Sequence, residues 1–133
     1  MNLRRIVLQS AVAGSGLWLV SSAARAQAPS LDGRRFEGVF IQRGKTKGDA
    51  DTLTFTGGRF RSSACDRYGY GDAPYRTSVQ GDAIAFEAET VSAKHGKLIW
   101  RGTVRGDKLD ATALAQRDGQ AAVENWVVAG TPK

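Results

Sequence analysis

The chain has 133 residues and a formal net charge of +6, with 19 lysines and arginines against 13 acids. The basic residues are scattered among acids, which describes a solvated mixed surface and gives no footprint for nucleic acid. A single cysteine and a single histidine exclude an intramolecular disulfide and leave neither zinc-ligand spacing nor a CxxC pair.

Residues 1–28, MNLRRIVLQSAVAGSGLWLVSSAARAQA, read as an export signal that is cleaved. Arg4 and Arg5 form a positive n-region, residues 6–20 an apolar h-region, and Ala26-Gln27-Ala28 a small-x-small cleavage site. The apolar run, broken by Gly14-Ser15-Gly16, falls short of the ~18–20 residues a membrane span needs, so the mature chain is expected to be soluble. Arg4-Arg5-Ile6-Val7-Leu8 resembles a twin-arginine signal; ordinary Sec export is the alternative. Either route implies the periplasm or secretion. Removing residues 1–28 leaves about 105 residues at about +3 charge, enough for one core. The expected organisation is a short N-terminal extension, 29–35, and one domain, 36–131.

Beyond Leu31 the pattern alternates with period two, punctuated by turn residues. Strands are expected at 36–42, 51–56, 59–64, 75–80, 83–91, 97–105, 108–117 and 120–130. Eight short strands at this spacing predict an all-β fold, a small antiparallel up-and-down barrel, with a two-sheet sandwich as the alternative.

Gly57-Gly58, Gly81-Asp82, Gly106-Asp107 and Asp118-Gly119 read as two-residue hairpin loops, where positive φ is required. Such loops fix register, so opposed residues share a face. The first three pair Phe55 with Phe60, Val79 with Ile84 and Val104 with Leu109, and they set Trp100 opposite Ala113. The fourth pairs Ala111 with Trp126 and Leu109 with Val128, and it turns Glu124 inward. The Gly57, Gly81 and Gly106 turns then share one end, floored by bulky Phe55, Phe60, Val79, Ile84, Val104, Leu109 and Val128. The other end carries 43–50, 65–74 and 92–96, with small or polar inward residues: Ala64, Ala88, Ala113, Ala115, Ala122, Tyr75 and Glu124. Barrels of this size hold side chains or one small ligand. A cup is expected, with the stretch CDRYGYGDAPY, residues 65–75, as its longest rim loop.

A signal followed by eight meandering strands resembles the calycins, the lipocalin and avidin-like group, and Gly38-Val39-Phe40 is similar to their Gly-x-Trp signature. The resemblance covers 36–130 as architecture and implies a small-molecule binder, with no contact residues carried over.

The candidate ligand-binding residues are Tyr68, Tyr70 and Tyr75 at the rim, with Phe86, Trp100, Glu124 and Trp126 inside. Tyrosines offer rigid contact area with a polar tip, and Gly69 and Gly71 let the loop bend around them. An inward Glu124 would need a partner, a water or a ligand. Cys65 reads as a buried inert thiol, an intermolecular partner or, beside Arg67, a reactive group. Glu87 and Glu89 are expected to face outward, where Arg101 on the next strand can pair with either, so a surface salt-bridge ladder is the reading rather than acid–base work. No phosphate loop, GxSxG or dinucleotide fingerprint appears, so no catalytic set, metal or cofactor is assigned. The expected function is an exported, monomeric barrel that binds a small, partly apolar molecule. The alternative is a protein–protein module, such as an inhibitor of a secreted enzyme, using the 65–75 loop.

Overall fold

The structure is a computed structural model and describes residues 28–132; the expected export signal, residues 1–28, lies outside the described residues apart from Ala28. Eight strands form one closed barrel in sequence order: β1 (Arg35–Ile41), β2 (Asp49–Thr56), β3 (Arg59–Ser62), β4 (Asp72–Gln80), β5 (Ala83–Ser92), β6 (Gly96–Arg105), β7 (Lys108–Gln116) and β8 (Val123–Gly130). Every neighbouring pair is antiparallel, and β8 closes on β1 through Gly38 opposite Ala129. Gly38 is required there, because a Cβ would overlap the Val128 carbonyl. No described helix is long and apolar enough to cross a membrane.

Three hairpins take the expected register: Phe55 faces Phe60, Val79 faces Ile84 and Val104 faces Leu109. Gly57 and Gly58 both have positive φ, whereas Gly81 and Gly106 supply it alone at the first central position. The core is an aromatic cluster of Phe36, Phe55, Phe60, Phe86 and Trp100, each fully buried or nearly so. Phe55 lies 5.2 Å from Phe60 and 5.1 Å from Phe86, and Phe60 lies 4.8 Å from Trp100, centroid to centroid. Tilted and edge-to-face contacts of this kind add to what area burial alone contributes. The Trp100 indole N–H donates to Thr90 Oγ1 at 3.2 Å, so its one polar atom is satisfied inside the barrel.

The 29–35 extension is part of the fold. Leu31 is 0% exposed, and Gly33 N–H donates to the Phe55 carbonyl at 2.7 Å. Asp32 accepts from the Tyr75 hydroxyl at 2.6 Å and from Gly58 N–H at 2.9 Å, while Thr77 donates to the Pro29 carbonyl. This segment plugs the tight-turn end.

Two expectations about position are corrected. Tyr75 is not at the rim. β3 is only four residues long and Arg59 pairs with Pro74, so Tyr75 sits beside the Gly57-Gly58 turn with its N–H on the Gly58 carbonyl. Its ring meets Phe55 at 5.0 Å, under the plug. The β7–β8 register is also shifted by one. A turn does form, with Gln120 N–H on the Arg117 carbonyl, but Ala115 then faces Val123 rather than Ala122. One extra residue in the connection reverses the faces of β8. Asn125, Val127 and Ala129 therefore point inward, while Glu124 turns out, Trp126 is 38% exposed and Val128 52%. Val79 projects past the floor at its hairpin and is 67% exposed.

Candidate functional site

The long connections at the open end begin with 42–48, after which Asp49 opens β2. Opposite it lies a 3-10 helix, Ser63–Tyr68, continued by Gly69–Gly71. Asp51 explains why the chain coils there. Its buried carboxylate accepts the Ser62 hydroxyl at 2.7 Å, the Ser63 hydroxyl at 3.4 Å and Ala64 N–H at 3.0 Å. Arg61 grips Asp66 through two nitrogens at 2.7 and 3.0 Å, and Gly69, at φ 85°, ends the coil with its N–H on the Asp66 carbonyl. Burial pushes the Asp51 carboxyl above its ordinary range, against the pull of those donors.

The next strap, 93–95, is latched to this coil. Ser92 donates to the Tyr68 carbonyl at 2.6 Å and accepts His95 N–H at 3.1 Å. The Tyr70 hydroxyl donates to the His95 carbonyl at 3.3 Å, and the Tyr68 and His95 rings meet edge to face at 5.5 Å. Across the opening, Arg117 donates through Nη2 to the Lys94 carbonyl and to His95 Nδ1, each at 2.9 Å. Asn125 is buried, donates to the Ala113 carbonyl at 3.2 Å and accepts Arg43 N–H at 3.1 Å. The rim is thus held from four sides by side-chain bonds.

Between these straps lies a cavity of about 330 Å³. Phe40, Leu98 and Ala115 line it low in the barrel; Ala64, Cys65, Tyr68, Tyr70 and His95 form one side, and Gln42, Arg43, Asp49, Gln116, Arg117 and Asn125 bring polar groups. Phe40 leans on Trp100 at 6.0 Å, so the aromatic core forms the layer beneath the cavity.

Of the residues named from sequence, Tyr68 and Tyr70 are brought together at this cavity. Phe86 and Trp100 point inward as expected but belong to the filled core. Tyr75 lies at the opposite end, and Glu124 and Trp126 face outward for the register reason given above. Among the alanines, Ala64 and Ala115 do border space, Ala88 and Ala113 are packed, and Ala122 is exposed in the β7–β8 connection. Sequence reasoning missed Phe40, Leu98, Arg43, Arg117 and Asn125 as lining residues. Arg43 was legible as part of a rim connection; Asn125 was hidden by the register.

Cys65 is the buried thiol among its three expected readings. It is 5% exposed, beside Ser62 Oγ at 3.4 Å, and burial pushes its pKa up to about 11, with Asp51 and Asp66 adding to the rise. Arg67 does not activate it, because that guanidinium stacks on Tyr68 and pairs with Asp49. Among the described residues no three His, Cys, Asp or Glu side chains gather as a metal site.

Comparison with protein-family models, curated proteins and solved structures finds no match for this chain. The cavity's own geometry is therefore what a functional reading rests on.

Proposed function

We propose that this protein is an exported binder of a small, partly apolar molecule, held in the open-end cavity. The observation that carries the reading is the asymmetry of the barrel. One end is filled by phenylalanines and sealed by residues 29–34, while the other keeps about 330 Å³ between latched loops. That volume lies at the low end of small-molecule sites, which run from ~300 to ~1,000 Å³. An apolar base with a few convergent polar groups is the composition such sites have. The calycin-like resemblance supports the same class of function, and the signal-like residues 1–28 support a periplasmic or secreted location.

The test is titration with an uncharged apolar fluorophore, alongside Ala115→Phe, which would fill the base of the cavity. We expect about one equivalent bound to the parent protein and none to the variant, with the thermal midpoint unchanged. Absence of binding to the parent, or equal binding to both, would overturn the proposal. A protein partner touching the 65–75 stretch is the second reading. It is favoured by the 37% exposure of Tyr68 with Arg67 stacked over it at 5.2 Å. Retention of a protein, and no small molecule, in native mass spectrometry from the natural host would favour it.

A further inference from the structure

The charges around the opening are one-sided. Arg43 and Arg117 both line the cavity, and neither takes part in an ion pair among the described residues. The one carboxylate in the lining, Asp49, is paired with Arg67 at 3.5 Å. Both side-chain bonds of Arg117 use Nη2, which leaves Nε and Nη1 without a protein acceptor among the described residues. Guanidinium carries five donors in a planar fork suited to a carboxylate or sulfonate. The two bonds fix where that fork sits, which lowers the ordering cost of using it. The Arg43 main chain is anchored by its own N–H on the buried Asn125 side chain. Burial raises the Tyr70 hydroxyl, and the Arg117 charge pulls the other way. Below these polar groups, Phe40, Leu98 and Ala115 offer only apolar surface.

We infer that the cavity selects small organic acids, with the acidic head between Arg43 and Arg117 and the apolar body on Phe40 and Leu98. The inference rests on the binding function proposed above and specifies its ligand class. It differs from a bare electrostatic attraction to the protein, because the cations belong to the cavity that takes the apolar body. Solvent reaches both guanidinium groups, so salt should weaken the head-group contact without abolishing the apolar one.

Two dyes with nearly the same aromatic body separate the two claims: anilinonaphthalene sulfonate, an anion, and phenylnaphthylamine, which is uncharged. At low salt the sulfonate should bind more tightly than the neutral dye by about tenfold, the effect of one charge-assisted contact. The doubly substituted Arg43→Gln/Arg117→Gln protein should lose that preference, read as the ratio of the two dyes' affinities, in which any change in the rim latch common to both dyes cancels. Arg43→Lys/Arg117→Lys, which keeps the charges, should retain most of it and guards against a folding artefact. Ala115→Phe should block both dyes. Equal affinity for the two dyes, or a preference unchanged by the glutamine substitutions, would overturn the acid-selective inference while leaving the binding function standing. Binding of neither dye to the parent protein would overturn both.

Discussion

Asp51 shows what a single buried carboxylate contributes and what it costs. It organises the Ser63–Tyr68 coil through three donors, yet burial raises its pKa. A raised value means that the folded protein holds the proton more tightly than the unfolded chain. This group's contribution to stability is therefore full below the ordinary carboxylate value and is lost as pH rises through the raised one. Asp32 has the opposite sign: the Tyr75 hydroxyl lowers it, so its contribution is present above the ordinary value and lost as pH falls through the lowered one. Asp51→Asn is close in shape and keeps an acceptor for Ala64 N–H. In urea unfolding from about pH 7 to about pH 4, the wild type should gain on this variant as acid is added. A constant difference would mean that Asp51 does not titrate within the fold.

Strand β8 carries the main lesson about sequence and element. All eight strands follow from alternation, and three hairpin registers from paired turn residues, because a two-residue turn leaves the chain no choice of face. The stretch Val123-Glu124-Asn125-Trp126-Val127-Val128-Ala129 is apolar in both phases, so alternation cannot choose between them. The choice falls to one extra residue between Gln116 and Val123, which composition does not announce. The same ambiguity hid Asn125 and placed Glu124 and Trp126 inside. For Tyr75 the cause was different: the stagger between β3 and β4 is a property of barrel closure, invisible in local patterning. The register makes a sharp pair of expectations. Val127→Asp should unfold the barrel or cost several kcal/mol, since it buries an unpaired charge, whereas Val128→Asp should fall within about 0.5 kcal/mol. Chemical denaturation with the two effects exchanged would restore the register read from the turn alone.

The molecule as a whole divides into a filled end and a hollow end. Its aromatic cluster and plug concentrate burial where the turns are tight, while half-buried Ala64, Tyr70 and Ala115 border the cavity. Leu31→Ala should cost about 2–5 kcal/mol, as for a fully buried leucine, although position 31 lies outside the strands. Tyr68→Ala should cost under about 1 kcal/mol, because the ring sits at the rim, 37% exposed, and its backbone latch to Ser92 survives. Equal losses in thermal or urea unfolding would remove the division.

The plug has one more consequence, for orientation. Pro29 binds at Thr77 near the tight turns, and Thr131 N–H donates to the Asp107 carbonyl at 2.8 Å in one of them. The described chain therefore enters and leaves the barrel on the side away from the cavity. A tether attached beyond either point, to a bead, an electrode or a fusion partner, would display the cavity outward and leave its approach clear. Immobilised through the N- or C-terminal side, the protein should capture ligand equally well.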